Sequence, residues 1–293
     1  MKAFANYHPI VLFSYFILLV GFTMFYMHPV YLIISLILSI ILSLQLNKKS
    51  FLKGLKWIIP MFLIAAIINP LITHDGEKII LYIDNNPITL EAIIYGFAMS
   101  IMICSVIFWF GCYNVLMTSD KFLYLFGKIS PAFALIISLT LRLVPRFKHQ
   151  IGVIAHAQKT IGMDVSSGHL LHRIKCGIRI ISILITWALE NAIETADSMK
   201  ARGYGLPKRS TFSLFTFEKR DGLILTFMLL LTAINVTGSF LGYNDYYFYP
   251  TFSELTFLPI SILLYGSYTL LLAIPIMIEL WEALKWRSLI SNN

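Results

Sequence analysis

The sequence is short of charge. Only 13% of its 293 residues are Asp, Glu, Lys or Arg, and 58% are hydrophobic. Soluble domains carry roughly 25% charged residues, so this composition excludes an ordinary soluble globule. Several apolar runs reach the roughly 20 residues that a helix needs to cross a bilayer. Because lipid offers the backbone no hydrogen-bond partners, these runs predict membrane-spanning helices.

Residues for common chemistry are also scarce. The three cysteines, Cys104, Cys112 and Cys176, predict neither a disulfide framework nor a metal site. Four histidines between positions 149 and 172 lack the spacing of a metal-binding motif. The sequence has no P-loop for ATP and no hydrolase nucleophile motif. We therefore expect a protein with no catalytic residues, no cofactor and no bound metal.

The apolar runs predict an all-α membrane protein with about six transmembrane helices. The expected spans are about residues 8–26, 29–46, 57–73, 91–117, 223–242 and 255–280. A short basic loop at 47–56 is expected between the second and third spans. No small-residue cleavage site follows the first run, so we expect it to be retained as a span.

Lysine and arginine are distributed very unevenly in this topology. With the loop at 47–56 in the cytoplasm, Lys78 is the only one of the 23 basic residues on the outer side. Because positively charged loops stay inside, both termini are expected in the cytoplasm. The net charge of +8 is then a topology signal. No basic–aromatic pattern accompanies it, so a nucleic-acid partner is not expected.

The middle of the chain differs from its flanks, because basic residues interrupt its apolar segments. We predict three domains: transmembrane helices at 1–117, a cytoplasmic block of amphipathic helices at 118–220, and two spans with a cytoplasmic tail at 221–293. In the block, Ser130-Pro131 predicts a helix start, and Pro145 predicts an end or a kink.

Two helices of this block are expected to end at a glycine. They are an amphipathic helix that ends at Thr160-Ile161-Gly162 and a long helix from about His169 to Ala201-Arg202-Gly203. Glycine closes a helix by adopting a positive φ, and Pro207 prevents the second helix from resuming. Arg202 either complements the helix dipole, by about 0.3–1 kcal/mol, or docks in a carboxylate-lined groove of another protein.

Residues 197–204, Asp-Ser-Met-Lys-Ala-Arg-Gly-Tyr, resemble the second signature of the T component of energy-coupling factor importers, the cobalt-transport transmembrane family. Residues 142–145, Arg-Leu-Val-Pro, with 157–162, Ala-Gln-Lys-Thr-Ile-Gly, resemble the first. The separation of 41 residues between Gly162 and Gly203 fits the family, as do the flanking spans. The supporting positions of the two motifs are Arg142, Pro145, Gln158, Asp197 and Met199.

The resemblance implies a function. T components are non-catalytic scaffolds in the cell membrane of prokaryotes. They join two cytoplasmic ABC-type ATPases to a small membrane S component, which binds a vitamin or a transition-metal ion. By this similarity, Ala201, Arg202 and Gly203 form one ATPase-docking tip, and Thr160, Ile161 and Gly162 form the other. Closure of the ATPases would move the helices and reorient the S component.

The first tip departs from the family pattern, which usually has arginine where Ile161 stands. Isoleucine cannot replace a planar cation isosterically. Three interpretations follow: the first groove is apolar in this partner, Lys159 supplies the charge, or the first tip couples weakly. The first, with an unlike pair of ATPases, is preferred.

Two other functions are compatible with parts of the sequence. Glu190, Glu194 and Asp197 share a helix face, which is either solvated or an acid or metal site of a lipid-modifying enzyme. A stand-alone secondary transporter is the second alternative, although no two-fold repeat and almost no intramembrane charge support it. Small residues on the fourth span, from Gly96 to Ser105, predict a helix contact, either within the chain or with the S component.

Overall fold

The structure, a computed structural model, describes residues 3–83, 86–206, 215–253 and 258–291. The described helices are a 3-10 turn at Phe4–Asn6, α1 Pro9–Phe25, α2 Pro29–Ile72, α3 Leu90–Leu116, α4 Ser119–Ile129, α5 Pro131–Thr160, α6 Leu170–Ala201, α7 Lys219–Phe240 and α8 Pro259–Ser291. The chain divides into two compact units, residues 1–122 with 215–293, and residues 123–214. The predicted division into three domains stays a prediction.

The predicted class, an all-α membrane protein, is confirmed. Within the described ranges, six helical segments are long and apolar enough to cross a membrane: Pro29–Lys49, Phe51–Ile72, Leu90–Leu116, Leu170–Ala201, Lys219–Phe240 and Pro259–Trp286. This set includes α6, because the middle third of that helix is apolar. The sequence predicts a cytoplasmic position for α6 instead. The set omits α1, whose 17 residues are at the short end of the spanning range.

The prediction of a basic loop at 47–56 is wrong. These residues are helical, and α2 leaves helical geometry inside its length at Asn47, with φ −162° and ψ 89°. Lysine and leucine are good helix formers, and neither proline nor glycine occurs between Asn47 and Gly54 to stop the helix. The turn between the second and third spans is therefore compressed into one residue, and the lysines lie on a helix.

Contacts with α3 show that the chain reverses at Asn47. The first half of α2 runs in the same direction as α3, with Leu32 clustered with Ala98 and Ser35 bonded to Trp109. The second half runs the opposite way, with Phe51 stacked on Phe108 at 5.3 Å and Phe62 near Phe97 at 6.0 Å. The two halves are thus antiparallel, as two successive membrane spans must be.

A β-hairpin that the sequence analysis missed joins α2 to α3. Strand β1, Ile79–Ile83, pairs antiparallel with β2, Asn86–Thr89. The β-branched isoleucines of β1 favour a strand and could have indicated the hairpin. At the end of the hairpin, Thr89 caps α3 by accepting a hydrogen bond from the Ala92 N–H at 3.3 Å.

The small residues of α3 face the chain itself. A Cβ at Gly96 would lie 2.7 Å from the Ala66 carbonyl oxygen, so only glycine permits this approach of α3 to α2. Ala98, Ser100 and Ser105 are also buried. Of the two contacts that the sequence left open, the packing within the chain is the one observed.

Hydrogen bonds between helices hold the first unit together. The Tyr15 hydroxyl donates to the Leu272 carbonyl at 2.9 Å, and the Tyr26 hydroxyl donates to the Asn235 carbonyl at 3.0 Å. The Tyr31 hydroxyl donates to Asn244 Oδ1 at 2.8 Å. These bonds join α1 and α2 to α7, α8 and the loop between them, where close packing and polar contacts replace the hydrophobic effect.

The N-terminal segment is hydrogen-bonded to the chain close to both ends of residues 123–214, at Lys121 and at Asp221. Buried Lys121 donates from Nζ to the carbonyls of Ala5 and Leu116. Buried Asp221 accepts from the N–H of His8 at 3.1 Å and from that of Glu218 at 2.9 Å. Each connection to residues 123–214 therefore starts from a fixed point.

Within the second unit, α5 runs unbroken from Pro131 to Thr160. Of the two outcomes predicted for Pro145, an end and a kink, the end is wrong. The missing N–H of Pro145 deprives the Leu141 carbonyl of a partner, and both residues are exposed. Ser130 stands at the predicted N-cap but makes no side-chain capping bond.

The long helix predicted from about His169 to Arg202 is confirmed as α6, with these two residues as its caps. Pro207, expected to keep it from resuming, lies outside the described residues. So do the first residues of the predicted last span, 255–257.

Candidate docking site

The C-terminus of α5 is closed by a Schellman motif. Ile161 is the C-cap, and Gly162 follows it with φ +80°. The Met163 N–H donates to the Gln158 carbonyl at 2.9 Å, and the Gly162 N–H donates to the Lys159 carbonyl at 3.1 Å. This pair of bonds satisfies carbonyls that a helix end would leave open.

The C-terminus of α6 is closed in the same way. Arg202 is the C-cap, and Gly203 has φ +79°. The Tyr204 N–H donates to the Met199 carbonyl at 3.0 Å, and the Gly203 N–H donates to the Lys200 carbonyl at 2.9 Å. Ile161 therefore occupies the same cap position as Arg202, and Gly162 the same position as Gly203.

The residues at these two cap positions are exposed. Ile161 is 63% exposed, and Arg202 is exposed as well. Across residues 3–83, 86–206, 215–253 and 258–291, no side chain forms an ion pair with Arg202. A guanidinium offers five N–H donors in a fixed plane. The second tip thus presents an available cation, and the first presents an apolar side chain.

The helices that carry the tips pack on each other. The Trp187 ring of α6 meets the Phe147 ring of α5 edge to face at 5.8 Å, and the Arg146 guanidinium lies over the Trp187 ring at 5.6 Å. Ile154 of α5 and Ile180 of α6 are buried. Aromatic and aliphatic contacts of this kind fix one helix against the other, so the tips belong to a joined pair of helices.

The connection that follows the first tip is a tight hydrogen-bonded turn. Asp164 accepts from the Ser166 N–H at 2.9 Å and from its hydroxyl at 2.7 Å. The Lys159 ammonium lies 3.3 Å from the same carboxylate, and Arg173 Nε donates to the Val165 carbonyl at 2.8 Å. The end of α5 is thereby tied to the first turn of α6.

The sequence matches one protein family along most of its length. The model of the family described as cobalt transport protein, CbiQ, matches residues 8–213. The chain belongs to the CbiQ family. The match includes both tips and ends before α7.

Similar proteins are named energy-coupling factor transporter transmembrane protein EcfT or EcfT 1. The relative from Lactococcus lactis is 25% identical over 71% of this chain and 82% of its own length. The relative from Listeria monocytogenes is 26% identical over 69% and 80%, and that from Bacillus subtilis is 26% identical over 70% and 81%. The chain is similar to each of them along most of its length.

The remaining residues of the CbiQ-like motifs lie in three places. Gln158 and Met199 contribute backbone carbonyls to the two caps. Asp197 is exposed and lies 3.9 Å from Lys200. Arg142 and Pro145 are on α5, at least 15 residues before its tip, which is over about 20 Å at 1.5 Å per residue. The structure therefore does not bring Arg142 and Pro145 to the first tip.

The acidic residues of α6 in this CbiQ family member do not gather into a site. Glu190, Glu194 and Asp197 are exposed on the helix surface. In the described part of the chain, no group of three or more His, Cys, Asp or Glu side chains is placed to hold a metal ion. The arrangement is that of a solvated face.

Asp164 has a structural role that the sequence did not predict. The hydrogen bonds from the Ser166 N–H and hydroxyl, followed by the bond and charge of Lys159, lower the pKa of Asp164 to about 2 from its ordinary 3.8. Because the folded pKa is the lower one, these bonds stabilise the turn fully above about pH 4 and lose that effect as the pH falls towards 2.

Replacing Asp164 with alanine is expected to loosen this turn. Asp164→Ala removes the acceptor of two hydrogen bonds and the ion-pair partner of Lys159, so backbone amides at 163–168 should exchange with deuterium several-fold faster at pH 7. Hydrogen exchange with mass spectrometry measures this. Ser167→Ala, at an exposed neighbouring position, is the control and should leave exchange unchanged. Equal rates in all three proteins would show that Asp164 does not hold the turn.

Proposed function

We propose that this protein is the T component of an energy-coupling factor importer. The observation that supports this most directly is the pair of equivalent helix tips, both closed by the same backbone motif and both exposed. Two matching ends on one joined pair of helices suit a partner that has two similar subunits. Membership of the CbiQ family and the names of the similar proteins support this assignment.

In this proposal the two tips dock on two cytoplasmic ABC-type ATPases. Arg202 binds carboxylates in one groove through its planar fork, an interaction that lysine cannot reproduce. Gly203 provides the positive φ that exposes Arg202 at the helix end. Closure of the ATPases on ATP moves the packed α5–α6 pair, and that movement reorients a membrane S component. The chain itself hydrolyses nothing.

The first tip is proposed to dock in a largely apolar groove. Lys159 lies 3.3 Å from Asp164, which disfavours the interpretation that Lys159 replaces the missing arginine. Ile161 is 63% exposed, and burying an isoleucine side chain contributes about 1.5–3 kcal/mol. The two ATPases are therefore unlike each other at this position.

Arginine at the first tip is expected to weaken docking there. Ile161→Arg places an unpaired charge in an apolar groove, so retention of one ATPase during purification should fall about 10- to 100-fold, a cost of about 1.4–3 kcal/mol. Ile161→Leu is the control and should retain both ATPases. Unchanged retention in Ile161→Arg would mean that this tip makes little contact, and stronger retention would mean that its groove is acidic.

The remaining parts of the proposal concern the membrane. Unit one spans the cell membrane of a prokaryote, with both termini and the lysines of α2 on the cytoplasmic side. The S component is a second membrane protein and selects the substrate, a vitamin or a transition-metal ion. Labelling of single cysteines from outside tests the orientation, since a cysteine at position 78 should react and one at position 285 should not.

Reconstitution distinguishes the proposed T component from its alternatives. The ATPases and the S component encoded beside this chain would be co-expressed with it and placed in proteoliposomes. Uptake should require all four chains and ATP. Uptake by this chain without ATPases would identify a secondary transporter instead. Lipid-modifying activity of this chain alone, lost in Glu190→Gln but not in Arg202→Ala, would identify an enzyme.

A further inference from the structure

The first strand of the β-hairpin exposes apolar side chains on both of its faces. Ile79, Ile80, Leu81 and Tyr82 are successive residues of β1, and all four are exposed. Leu81 and Tyr82 pair regularly with β2. Because successive side chains of a strand point to opposite faces, Leu81 at 61% and Tyr82 at 67% exposure leave both faces uncovered. Soluble proteins protect such a strand with charges or a covering segment, and no charge protects these four positions.

β1 is also the edge of its sheet. In the described part of the chain, the sheet has two strands, β1 and β2, and β2 packs against α2 and α3. The N–H and C=O groups along the free edge of β1 need hydrogen-bond partners, which water supplies and the hydrocarbon core does not. The backbone of β1 is therefore unsuited to the hydrocarbon core, while its apolar side chains disfavour bulk water. The headgroup region between the two meets both requirements.

Hydrogen bonds hold the base of the hairpin at the first turn of α3. The Leu90 N–H donates to the Lys78 carbonyl at 2.9 Å, and the Lys78 N–H donates to Glu91 Oε2 at 3.3 Å. The Thr89 hydroxyl donates to the Asp75 carbonyl at 2.6 Å. Since α3 is one of the helices long and apolar enough to cross a membrane, the hairpin starts at the level where that helix leaves the bilayer.

The exposed surface of α2 leads to the same level. From position 61 to Ile72, the last residue of α2, every exposed residue is isoleucine, leucine or methionine. Six residues, 73–78, then separate α2 from β1, and the exposed charged residues Asp75, Glu77 and Lys78 lie among them. The lipid-facing surface of a span, a charged connection and an apolar strand therefore follow one another at one surface of the membrane.

We propose that β1 is an interfacial anchor, which binds the phospholipid headgroup region of the leaflet where α2 ends and α3 begins. The Leu81 side chain enters the upper part of the acyl chains. Tyr82, on the opposite face, lies among the headgroups, where its ring and its hydroxyl find both apolar and polar contacts. The hairpin thereby fixes the depth at which α2 and α3 end. This anchor is independent of ATPase docking.

Site-directed spin labelling of the chain in phosphatidylcholine liposomes tests this depth. The three native cysteines are replaced with alanine, and a nitroxide is attached at Leu81→Cys, at Glu77→Cys or at Ile64→Cys. Oxygen concentrates in lipid and a nickel chelate in water, so the ratio of the two collision rates rises with depth. This ratio should be several-fold higher at position 81 than at position 77, and higher still at position 64. Thermal unfolding of each labelled protein checks that it folds.

Each other result at position 81 would overturn the proposal. A ratio equal to that at position 77 would place the strand in water, and one equal to that at position 64 would place it in hydrocarbon. Slow collisions with both oxygen and the nickel chelate would show that protein covers the strand. Dipolar broadening between labels would show that a second copy of the chain pairs with the free edge.

A charge on β1 tests the anchoring role. The carboxylate of Leu81→Asp cannot stay among acyl chains, so the end of α2 should move towards water. Nickel collisions of a label at Ile72→Cys should then rise several-fold. Leu81→Ile is the control and should leave that label at its original depth. An unchanged depth at position 72 in a folded Leu81→Asp protein would overturn the anchoring role.

Discussion

Charge reversal at position 202 is expected to abolish uptake and to release an ATPase from the purified complex. Arg202→Glu replaces the cation of the second tip with an anion and sets it against the carboxylates proposed for the groove. Removing one partner of a buried charged pair costs about 2–5 kcal/mol, and like charges add to that cost. A loss of affinity of about a thousandfold or more follows, which co-purification and uptake in proteoliposomes would both detect.

The control for this variant lies on the same helix. Lys175→Glu makes the same change of charge on an exposed residue near the start of α6, far from the tip, and should leave assembly and uptake intact. Arg202→Lys should give an intermediate result, because it keeps the charge and loses the paired N–H donors. Full assembly and transport by Arg202→Glu would remove Arg202 from the proposed role.

A bulky residue at Gly203 is expected to disrupt the tip although Arg202 is still present. Gly203 has φ +79°, and a Cβ there would lie 3.1 Å from Leu206 Cδ1. A left-handed conformation costs an ordinary residue about 1–2 kcal/mol, and a β-branched residue more. Gly203→Val should therefore open the cap, reorient Arg202 and lower ATPase retention at least about tenfold.

Valine in the interior of the same helix provides the comparison. Gly177 lies within α6 without a positive φ, and a Cβ there meets no atom within 4 Å. Gly177→Val should keep assembly intact, because valine has a higher helix propensity than glycine. Hydrogen exchange of the Gly203 and Tyr204 amides should rise in Gly203→Val alone. If Gly203→Val keeps normal exchange and full docking, the conformation of this cap is not what positions Arg202.

The helices of the second unit were largely predictable from local signals. Glycine directly after a long helical pattern marked both tips, because few other residues take a positive φ. The bounds of α6 followed for this reason. The equivalence of Ile161 and Arg202 also follows, since each stands directly before its glycine and after the last helical turn.

Tertiary context decided the features that the sequence did not predict. The charge of the lysines at 48–56 favours a loop, but lysine has a high intrinsic helix propensity. Packing of both halves of α2 on α3 fixes the reversal at Asn47. Pro145 predicts an end or a kink, yet α5 continues through it, and both Pro145 and Leu141, whose carbonyl loses its helical partner, are exposed. The β-hairpin was missed because its first strand is short and apolar on both faces.

The partners of the candidate site were beyond prediction for a different reason. A docking tip is only half of an interface, and the groove that would receive Arg202 belongs to another polypeptide. The sequence fixes the cap and the charge, and the structure adds their exposure. The chemistry of the groove at Ile161 is inferred from the tip alone.

Photo-crosslinking from the second tip tests most directly whether it docks on an ATPase. p-Benzoylphenylalanine would replace Tyr204, which follows Gly203 in the cap, so that Arg202 stays in place. In membranes that contain the whole complex, irradiation should link this chain to an ATPase subunit, while the same group at Ile185 in the middle of α6 should not. Crosslinks from position 204 to lipid or to this chain alone would contradict the proposed docking.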